Sequence, residues 1–406
     1  MWPAHTGARL RDYQLARHLA LCSSVTFLEM RRRGETPSVS PVDSGFSRIV
    51  TLDKGRAYSL FKIVCGMVGP TPITVWNCWS ARSASKLADV LRSDRFDTVQ
   101  MEGIHLVKYL PMLRAAPGRP AIVVDWHNIE SEIMLRYGNL TENWPKRIVA
   151  MRTAKLIRRA ENQLLDTCTT HTVASERERQ ELLARRPRAN IAVIPNGIDT
   201  RSYTPEAISK VSRQSSFAEF KPTILFVGSM DYHANVDAVT WFSRAAWPQI
   251  ARNHPDIHFM IVGRDPAPLV RALTSDRVHV TGTVDDVRPF YSSALAVVVP
   301  IRSGSGTRIK ILEAMAAGVP VVSTRLGAEG LAVEDGVHLL LADDGPEIAL
   351  AVTRLASSFE TRTQLSRAGR ALVCRTYDWT MIGEQLYRIH ADLARSRAPS
   401  PSLKGS

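Results

Sequence analysis

The chain has 406 residues, of which 45% are hydrophobic and 22% are charged. This is the composition of a folded globular protein with room for two or three domains, and it excludes collagen, a coiled coil and a largely disordered chain. The net charge of +13 is uneven, because positions 1–200 hold 29 basic and 19 acidic residues. A basic half favours an anionic partner such as a phosphorylated substrate, a nucleic acid or an anionic membrane. A solvated face in an Arg-rich proteome is the alternative.

The five cysteines indicate a reducing compartment. They are odd in number, widely spaced and never arranged as Cys-x-x-Cys, so neither a disulfide framework nor a zinc site is indicated. The first residues lack a signal-peptide pattern. The longest apolar stretch, 60–79, contains Lys62, Pro70 and Pro72, which disfavours a membrane-spanning helix. We expect a cytoplasmic protein, and peripheral contact with a membrane stays open.

Short β-branched runs alternate with longer segments of helical periodicity along almost the whole chain, a pattern typical of parallel sheets covered by helices. In the first half the sequence predicts strands at 25–28, 98–101, 121–125, 170–174 and 191–194. In the second half it predicts strands at 224–227, 258–262, 278–281, 295–299 and 319–323. The expected fold class is α/β, with two doubly wound domains.

This pattern divides the chain into five regions. We predict an N-terminal Rossmann-like domain at 1–200, a linker at 201–220, a C-terminal Rossmann-like domain at 221–376, an amphipathic helix at 377–395 and a polar tail at 396–406. The linker is predicted because the segment is rich in Ser, Thr and Pro and lacks apolar periodicity. Ligands of doubly wound sheets bind at the carboxyl ends of the strands, so functional residues are expected in the loops after strands.

The most informative segment runs from the buried strand at 295–299 through a glycine-rich turn into a helix. In the turn, Gly304 and Gly306 allow a ligand phosphate to approach backbone N–H groups at the helix N-terminus. Arg308 and Lys310 add two positive charges there. The sequence therefore predicts an anion site at this turn.

Glu313 lies three residues after Lys310, about 60° around the helix. A carboxylate beside a phosphate site is suited to accept hydrogen bonds from ribose hydroxyls. The alternative is an ordinary surface ion pair between Lys310 and Glu313. The turn lacks the third glycine of a dinucleotide fingerprint, which disfavours an NAD site.

Two weaker signals lie after other strands. Gly228 follows the strand at 224–227 and precedes a helix that we expect Asn235 to cap, which indicates a second anion site. His127 follows the strand at 121–125, where ligands of such sheets bind, although a structural histidine is the alternative.

Together these motifs resemble the retaining glycosyltransferases of the GT-B fold, specifically the group 1 set known as glycosyltransferase family 4. The resemblance covers nearly the whole chain. Its specific pieces are 125–130, 193–199, 226–235, 261–263, 282–287 and, above all, 304–320. It implies two Rossmann-like domains facing a cleft, with the last helix crossing back to the N-terminal domain. It also implies a nucleotide-sugar held by the C-terminal domain and an acceptor held by the N-terminal domain.

Carried over residue by residue, the resemblance implies roles for individual side chains. Glu313 resembles the second glutamate of the family's E-x7-E pair and would hold the ribose. The implied catalytic residues are His127, Arg308 and Lys310. The other implied donor-binding residues are Gly228, Ser229, Val284, Asp285, Ser305, Gly306 and Thr307. Gly7 and Arg9 would belong to an acceptor and phosphate loop.

Three departures from the family pattern are present. Ser305 stands where many members have the first glutamate, and residues 229–233 lack the usual Arg and Lys. Family members also begin with a buried strand before the first glycine turn, whereas here Gly7 follows only six residues. We expect a late assigned start or a truncated form, less stable than a chain extended upstream.

The resemblance implies transfer of a sugar from a UDP- or GDP-sugar to a saccharide or lipid-linked acceptor, with retention of anomeric configuration. Neither a metal nor a cofactor is expected, and polysaccharide or cell-envelope glycan synthesis is the implied setting. The Arg-rich N-terminal domain, with Arg31–Arg33 and 155–159, indicates a peripheral site on anionic lipid. The alternative is a non-catalytic GT-B subunit that binds a nucleotide-sugar or a partner enzyme. A nucleic-acid partner is not expected, because the basic residues are not interleaved with aromatic residues.

Overall fold

The computed structural model describes residues 7–32, 45–54, 59, 62, 65–66, 68–212, 222–304 and 308–397. The chain divides into two compact units. Unit 1 comprises Met1–Pro195 and Ile382–Ser406, and unit 2 comprises Asn196–Met381. The first boundary therefore lies five residues before the one predicted at 200.

The described strands of unit 1 form two parallel sheets. The smaller sheet pairs β1 (Thr26–Arg31) with β2 (Arg48–Asp53). The larger sheet contains, in spatial order, β3 (Thr98–Glu102), β4 (Ala121–Trp126), β5 (Thr170–Val173) and β6 (Ile191–Val193). All six residues of β4 are buried, as expected of a strand covered on both faces.

Helices surround these sheets. They are α1 (Gly7–Ala20), α2 (Ile73–Cys78), α3 (Ala81–Ser93), a 3-10 helix (Ile104–Tyr109), α4 (Leu110–Arg114), α5 (Glu130–Leu140), α6 (Trp144–Thr167) and α7 (Glu176–Arg185). Several begin at a side-chain cap that satisfies a free backbone N–H group. Ser80 accepts from Ser83, and Asn143 accepts from Lys146.

A cavity of about 490 Å³ lies inside unit 1 and is lined by residues of both β1 and β3. Leu28 and Met30 contribute from one strand, and Val99 and Met101 from the other. Within the described part of the chain, β1 pairs only with β2 and β3 pairs only with β4. The cavity therefore has sheet edges on two sides.

Unit 2 contains one six-stranded parallel sheet. In chain order its strands are β7 (Thr223–Val227), β8 (His258–Val262), β9 (Val278–Val280), β10 (Ala294–Val299), β11 (Val321–Ser323) and β12 (Leu340–Leu341). Their spatial order is β12-β11-β10-β7-β8-β9. The order reverses beside β7 and β10, and ligands of such sheets bind at this kind of switch point.

The helices of unit 2 cover both faces of this sheet. They are a 3-10 helix (Thr200–Tyr203), α8 (Pro205–Ser212), α9 (His233–Ala245), α10 (Trp247–Asn253), α11 (Pro268–Arg271), α12 (Arg288–Tyr291), α13 (Ile309–Ala316), α14 (Gly345–Ser357) and α15 (Phe359–Thr376). No described helix combines the length and apolarity needed to span a membrane.

The linker predicted at 201–220 is wrong over the residues that the structure describes. Residues 201–212 belong to unit 2, because Ile208 is buried in its core and Tyr203 packs against that core. The prediction failed because a short amphipathic helix carries too few apolar residues to show a period. Residues 213–220 lie outside the described residues.

The last helix, α16 (Trp379–Arg395), begins two residues after the predicted start at 377. It passes from unit 2 to unit 1, and the change falls between Met381 and Ile382. In unit 1 its His390 forms side-chain hydrogen bonds of 2.8 Å with both Thr98 and Gln100 on β3. Of the tail predicted at 396–406, only residues 396 and 397 are described.

Candidate functional site

The first feature of the site in unit 2 is the turn after β7. All five residues of this strand are buried, and the strand ends immediately before Gly228. A Cβ atom on Gly228 would lie 2.8 Å from side-chain nitrogens of both Asn235 and Lys310. The absence of a side chain therefore lets these two polar groups approach the turn.

Lys310 lies in the first turn of α13 and reaches this glycine turn. Its Nζ atom donates a hydrogen bond of 2.8 Å to Oδ1 of Asn235 and lies 4.0 Å from the centroid of the Phe226 ring. Asn235 donates in turn to the carbonyl of Ser229. Burial, together with the neighbouring Arg308, lowers the pKa of Lys310 to about 7. An anionic ligand would favour the charged form of this lysine.

Asn235 therefore does not cap α9, as the sequence predicted. The residue before the helix is Tyr232, which makes no side-chain cap hydrogen bond, and Asn235 lies inside the first turn. Its amide bridges the Ser229 carbonyl and Lys310. The role of Asn235 is to position the lysine.

Glu313 lies one turn further along α13. One carboxylate oxygen accepts a hydrogen bond of 2.9 Å from the Tyr203 hydroxyl, and the other accepts one of 3.1 Å from the Tyr291 hydroxyl. Burial raises the pKa of Glu313, and these two hydrogen bonds oppose that rise. Lys310 is directed instead to Asn235, so the alternative of an ordinary surface ion pair with Glu313 does not hold in the described residues. Each carboxylate oxygen retains a lone pair that can accept from a ligand hydroxyl.

Gly304 follows β10 and has a positive φ of 102°, a conformation that favours glycine. A Cβ atom there would lie 3.0 Å from the Tyr232 hydroxyl and 3.4 Å from Nη2 of Arg308. Arg308 directly precedes α13 as its N-cap residue. Burial lowers the pKa of its guanidinium, which stays charged at neutral pH. The N-terminus of α13 thus carries two cationic side chains in addition to the partial positive charge of the helix itself.

Ser229 connects this turn to the next strand. Its hydroxyl donates to Asp231 at 2.6 Å and accepts from Nε of Arg264 at 2.8 Å. Arg264 follows β8, the parallel neighbour of β7. Residues 229–233 contain neither Arg nor Lys, and Arg264 brings a positive charge to the same turn from the adjacent strand.

The remaining predicted donor-binding residues have mixed outcomes. Val284 and Asp285 lie in the loop after β9, where Val284 packs against the core and Asp285 is exposed. Ser305, Gly306 and Thr307 lie outside the described residues.

In unit 1, Arg11 of α1 and Asp125 of β4 form a fully buried ion pair. The guanidinium donates to both carboxylate oxygens, at 2.7 and 2.8 Å, and also to the backbone carbonyls of Ile194 and Pro195. Burial favours the neutral carboxylic acid, but Arg11 outweighs it and lowers the pKa of Asp125. This pair fixes α1 against the carboxyl end of the sheet, next to His127.

His127 is surrounded by carboxylates. Its Nε2 atom lies 2.7 Å from Asp12 on α1, 3.5 Å from Glu102 at the end of β3 and 3.9 Å from Asp125. Burial lowers the pKa of the imidazole, but Asp12 and Glu102 outweigh it and raise that pKa to about 11. Burial and the neighbouring Asp12 raise the pKa of Glu102 to about 7. At neutral pH the imidazole is therefore a hydrogen-bond donor and not a general base.

Asp12, Glu102 and His127 can also be considered as metal ligands, because one donor atom from each lies within 4.8 Å of the others. A histidine binds a metal ion only in its neutral form. A metal ion there would compete with the proton that the two carboxylates stabilise on the imidazole.

Gly7 and Arg9 were predicted in a loop and lie instead in a helix. The helix α1 begins at Gly7, so Arg9 occupies its first turn. Arg9 still lines the 490 Å³ cavity, together with Asp12 and His127. The loop prediction failed because an N-terminal glycine does not distinguish a loop from the first residue of a helix.

Several residues at these two sites were missed from the sequence. They are Arg11, Asp12, Glu102, Tyr203, Arg264 and Tyr291. Their position in the sequence could have indicated Glu102 and Arg264. Each lies just after a predicted strand, and the neighbouring strand is followed by a predicted site residue. No such signal existed for Tyr203, which lies in the segment interpreted as a linker.

Comparison with known protein families gives two matches. A family described as Glycosyltransferase Family 4 matches residues 47–202, and one described as Glycosyl transferases group 1 matches residues 221–358. The two matched regions together cover more than half of the chain.

Among curated proteins, the chain is similar to the phosphatidyl-myo-inositol mannosyltransferase of Mycobacterium leprae. The identity is 29% over 210 residues, which is 50% of this chain and 54% of that protein. The chain thus spans about half the length of the curated relatives it matches.

Two solved structures show the same fold. Sucrose-phosphate synthase from Thermosynechococcus elongatus has a TM-score of 0.71 at 18% identity, covering 96% of this chain and 94% of that one. The Anabaena protein HepE in complex with UDP and glucose has a TM-score of 0.65 at 16% identity, covering 95% and 96%. At these identities the likeness shows the fold alone.

Proposed function

The chain belongs to the group 1 glycosyltransferases of family 4 and has the GT-B fold, and from this premise we propose that it transfers a sugar from a UDP- or GDP-sugar to a saccharide or lipid-linked acceptor. The observation that carries the proposal is the pair of cations, Arg308 and Lys310, at the carboxyl ends of the strands in unit 2. The missing side chains of Gly228 and Gly304 let Lys310 and Arg308, respectively, lie close to these two turns.

The donor's diphosphate is the group that these residues recognise. When the bond between the sugar carbon and the phosphate oxygen breaks, negative charge develops on that oxygen. Arg308, Lys310 and the N-terminus of α13 stabilise this charge, because they are already oriented before the reaction. Glu313 accepts hydrogen bonds from the ribose hydroxyls, and Tyr203 and Tyr291 hold its carboxylate in place.

The reaction retains the configuration at the anomeric carbon. The acceptor hydroxyl attacks from the face that the phosphate leaves, its proton passes to the departing phosphate oxygen, and a new glycosidic bond forms. No side chain is assigned as a nucleophile. On the acceptor-binding unit, the protonated His127 donates a hydrogen bond to a substrate oxygen, and Asp12 and Glu102 keep it protonated.

No metal takes part in this proposal, since cationic side chains provide the charge stabilisation. Transfer activity is expected to be unchanged after dialysis against EDTA and to be unaffected by added Mg²⁺ or Mn²⁺. Loss of activity with EDTA and recovery with one of these ions would assign a metal to the Asp12, Glu102 and His127 cluster.

The acceptor is proposed to be lipid-linked, with the protein peripheral on the cytoplasmic face of a membrane and active in cell-envelope glycan synthesis. Support comes from the basic excess in positions 1–200 and from the mycobacterial relative, whose name specifies a phosphatidyl-myo-inositol acceptor.

A thermal-shift screen against UDP, GDP, ADP and their common sugar conjugates tests the donor class. A ligand that binds only the folded state raises the melting temperature. We expect a shift for one nucleotide family that is lost in Glu313→Ala. Transfer of a radiolabelled sugar from that donor to a membrane extract then tests the reaction.

The second candidate is a non-catalytic GT-B subunit, favoured by Ser305 in the position of the family's first glutamate. A nucleotide-dependent thermal shift without transfer or donor hydrolysis would support this function. Product formation would exclude it.

A further inference from the structure

The hairpin of α5 and α6 exposes an unusual number of apolar side chains. Fifteen large hydrophobic residues are exposed across the described part of the chain, and seven of them lie in this hairpin. They are Leu135, Tyr137, Leu140, Trp144, Ile148, Val149 and Met151. Leu140 is 81% exposed and Trp144 is 72% exposed, one on each side of the turn that joins the helices. Clustered exposure of this kind marks an interaction surface.

An eighth exposed residue, Val68, lies beside this hairpin and is 80% exposed. Arg152 of α6 holds its segment in place by donating hydrogen bonds to the carbonyls of Gly66, Val68 and Gly69, at 3.0 to 3.1 Å. We call these eight side chains the apolar tip.

Part of the tip lies on the face of α6 that turns away from the core. Trp144, Ile148, Met151 and Lys155 recur at intervals of four, three and four residues, and all are exposed. The opposite face is buried and is formed by Ala150, Ala154, Ile157, Glu161 and Leu164. An ordinary surface helix has polar side chains on its exposed face, where α6 has Trp144, Ile148 and Met151.

The tip is preformed. Glu161, buried at the base of the hairpin, accepts hydrogen bonds from the backbone N–H of Ser131 at 2.9 Å and from Arg185 at 2.7 Å. At the top, a Cβ atom on Gly138 would lie 3.1 Å from Sδ of Met151, so the glycine allows the two helices to pack closely. No folding step is needed to present the apolar residues.

The charges around the tip identify its partner. Residues 136–159 contain seven Lys and Arg but only one acidic residue, Glu142. Lys146 and Arg147 are exposed in the first turn of α6, between Trp144 and Ile148. Tryptophan is favoured at the boundary between lipid and water, and Lys and Arg beside it attract anionic headgroups. Protein interfaces, by contrast, are depleted in lysine.

We propose that the tip of the α5–α6 hairpin inserts into the headgroup region of an anionic bilayer, with its Lys and Arg on the lipid phosphates. This inference rests on the membrane association proposed above and assigns it to one surface. The partner is a lipid surface and not a protein.

Co-sedimentation of the full chain with vesicles tests the assignment. The vesicles contain phosphatidylcholine alone or phosphatidylcholine with about 30% phosphatidylglycerol, whose negative charge attracts Lys and Arg. We expect binding to the anionic vesicles at low salt and weaker binding at high salt, because added ions screen the basic residues.

Two double variants separate the contributions. Trp144→Ser with Ile148→Ser removes apolar contact, and Lys146→Glu with Arg147→Glu reverses charge. Each pair is expected to reduce the vesicle partition coefficient by about tenfold or more. Both matched controls lie in unit 2. The control for apolar contact is Leu350→Ser with Phe359→Ser, at two exposed residues. The control for charge is Arg367→Glu with Arg375→Glu, also at exposed residues. The control variants are expected to bind as the unchanged chain does.

The outcomes distinguish the two proposals. If the unchanged chain binds anionic vesicles and the tip variants bind equally well, the assigned surface is wrong and membrane association stands. If the unchanged chain does not bind, both fail. If light scattering shows that the tip variants convert a dimer into a monomer without changing vesicle binding, the tip is a protein interface. The thermal shift with nucleotide reports on the donor site separately, and the tip variants are expected to retain it.

Discussion

The Nζ atom of Lys310 lies 2.8 Å from Oδ1 of Asn235, so a lysine on one helix is held by an amide on another across the Gly228 turn. Because burial lowers the pKa of this lysine to about 7, an anionic ligand beside it would favour its charged form. This contact joins the turn after β7 to the helix after β10.

Affinity for the nucleotide-sugar is expected to fall as the pH rises above about 7, because deprotonation of Lys310 removes a cation from the diphosphate site. The slope should approach a tenfold change in Kd per pH unit, the limit for one proton. Titration calorimetry at pH 6, 7, 8 and 9 measures it. Lys310→Met is expected to bind weakly at every pH. An equally steep pH dependence in that variant would remove Lys310 from the site.

Replacement of Arg308 by Ala is expected to reduce the transfer rate by about tenfold to a hundredfold, since a charge-assisted contact contributes ~1.5–3 kcal/mol. The control is Arg302→Ala, because Arg302 is exposed and pairs with Asp237 at 2.7 Å. Initial rates at saturating donor measure the effect. An unchanged rate in Arg308→Ala would show that the guanidinium does not contact the leaving group.

Tyr203→Phe is expected to lower the free energy of unfolding by about 1.5–3 kcal/mol, because a largely buried carboxylate loses a hydrogen bond. It should also weaken nucleotide binding, since Glu313 is no longer held at one of its oxygens. Urea unfolding and calorimetry measure the two effects. Tyr137→Phe, at an exposed tyrosine, is the control. Nucleotide binding that is unchanged in Tyr203→Phe would contradict the positioning role.

The charge of His127 makes stability depend on pH. Its pKa is raised from 6.5 to about 11 in the folded protein, so its contribution is complete below pH 6.5 and is lost as the pH rises towards 11. Between pH 7 and pH 9.5 the unchanged chain should therefore lose more stability than His127→Gln does. Urea midpoints at the two pH values measure the difference. Parallel curves for the two proteins would show that His127 is not paired with Asp12 and Glu102.

Arg11→Met is expected to destabilise the protein by about 3–5 kcal/mol, because it leaves the buried carboxylate of Asp125 without its partner. The double variant Arg11→Met with Asp125→Asn removes the uncompensated charge and should recover part of this loss. Urea unfolding of both variants measures the coupling. Equal destabilisation in the single and the double variant would show that the ion pair is not what Arg11 provides.

Most of the strand pattern could be predicted from the sequence. All ten predicted strands occur within one or a few residues of their predicted ends, because fully covered parallel strands are continuous apolar runs. The two strands that were missed are β2, whose Arg48 is exposed, and β12, which has only two residues. Only two residues of β2, Val50 and Leu52, are buried, and β12 is too short to be told from a loop.

The sequence by itself determined the chemistry at the ends of the strands, because glycine turns and the cations after them are local features. It therefore predicted Gly228, Gly304, Arg308, Lys310, Glu313 and His127 as candidate site residues. Only the tertiary structure decided what holds these groups. Tyr203 lies 110 residues from Glu313, and Arg11 lies 114 residues from Asp125. The partners of a buried charge are set by desolvation in the folded chain, and no local pattern in the sequence encodes which distant residue meets it.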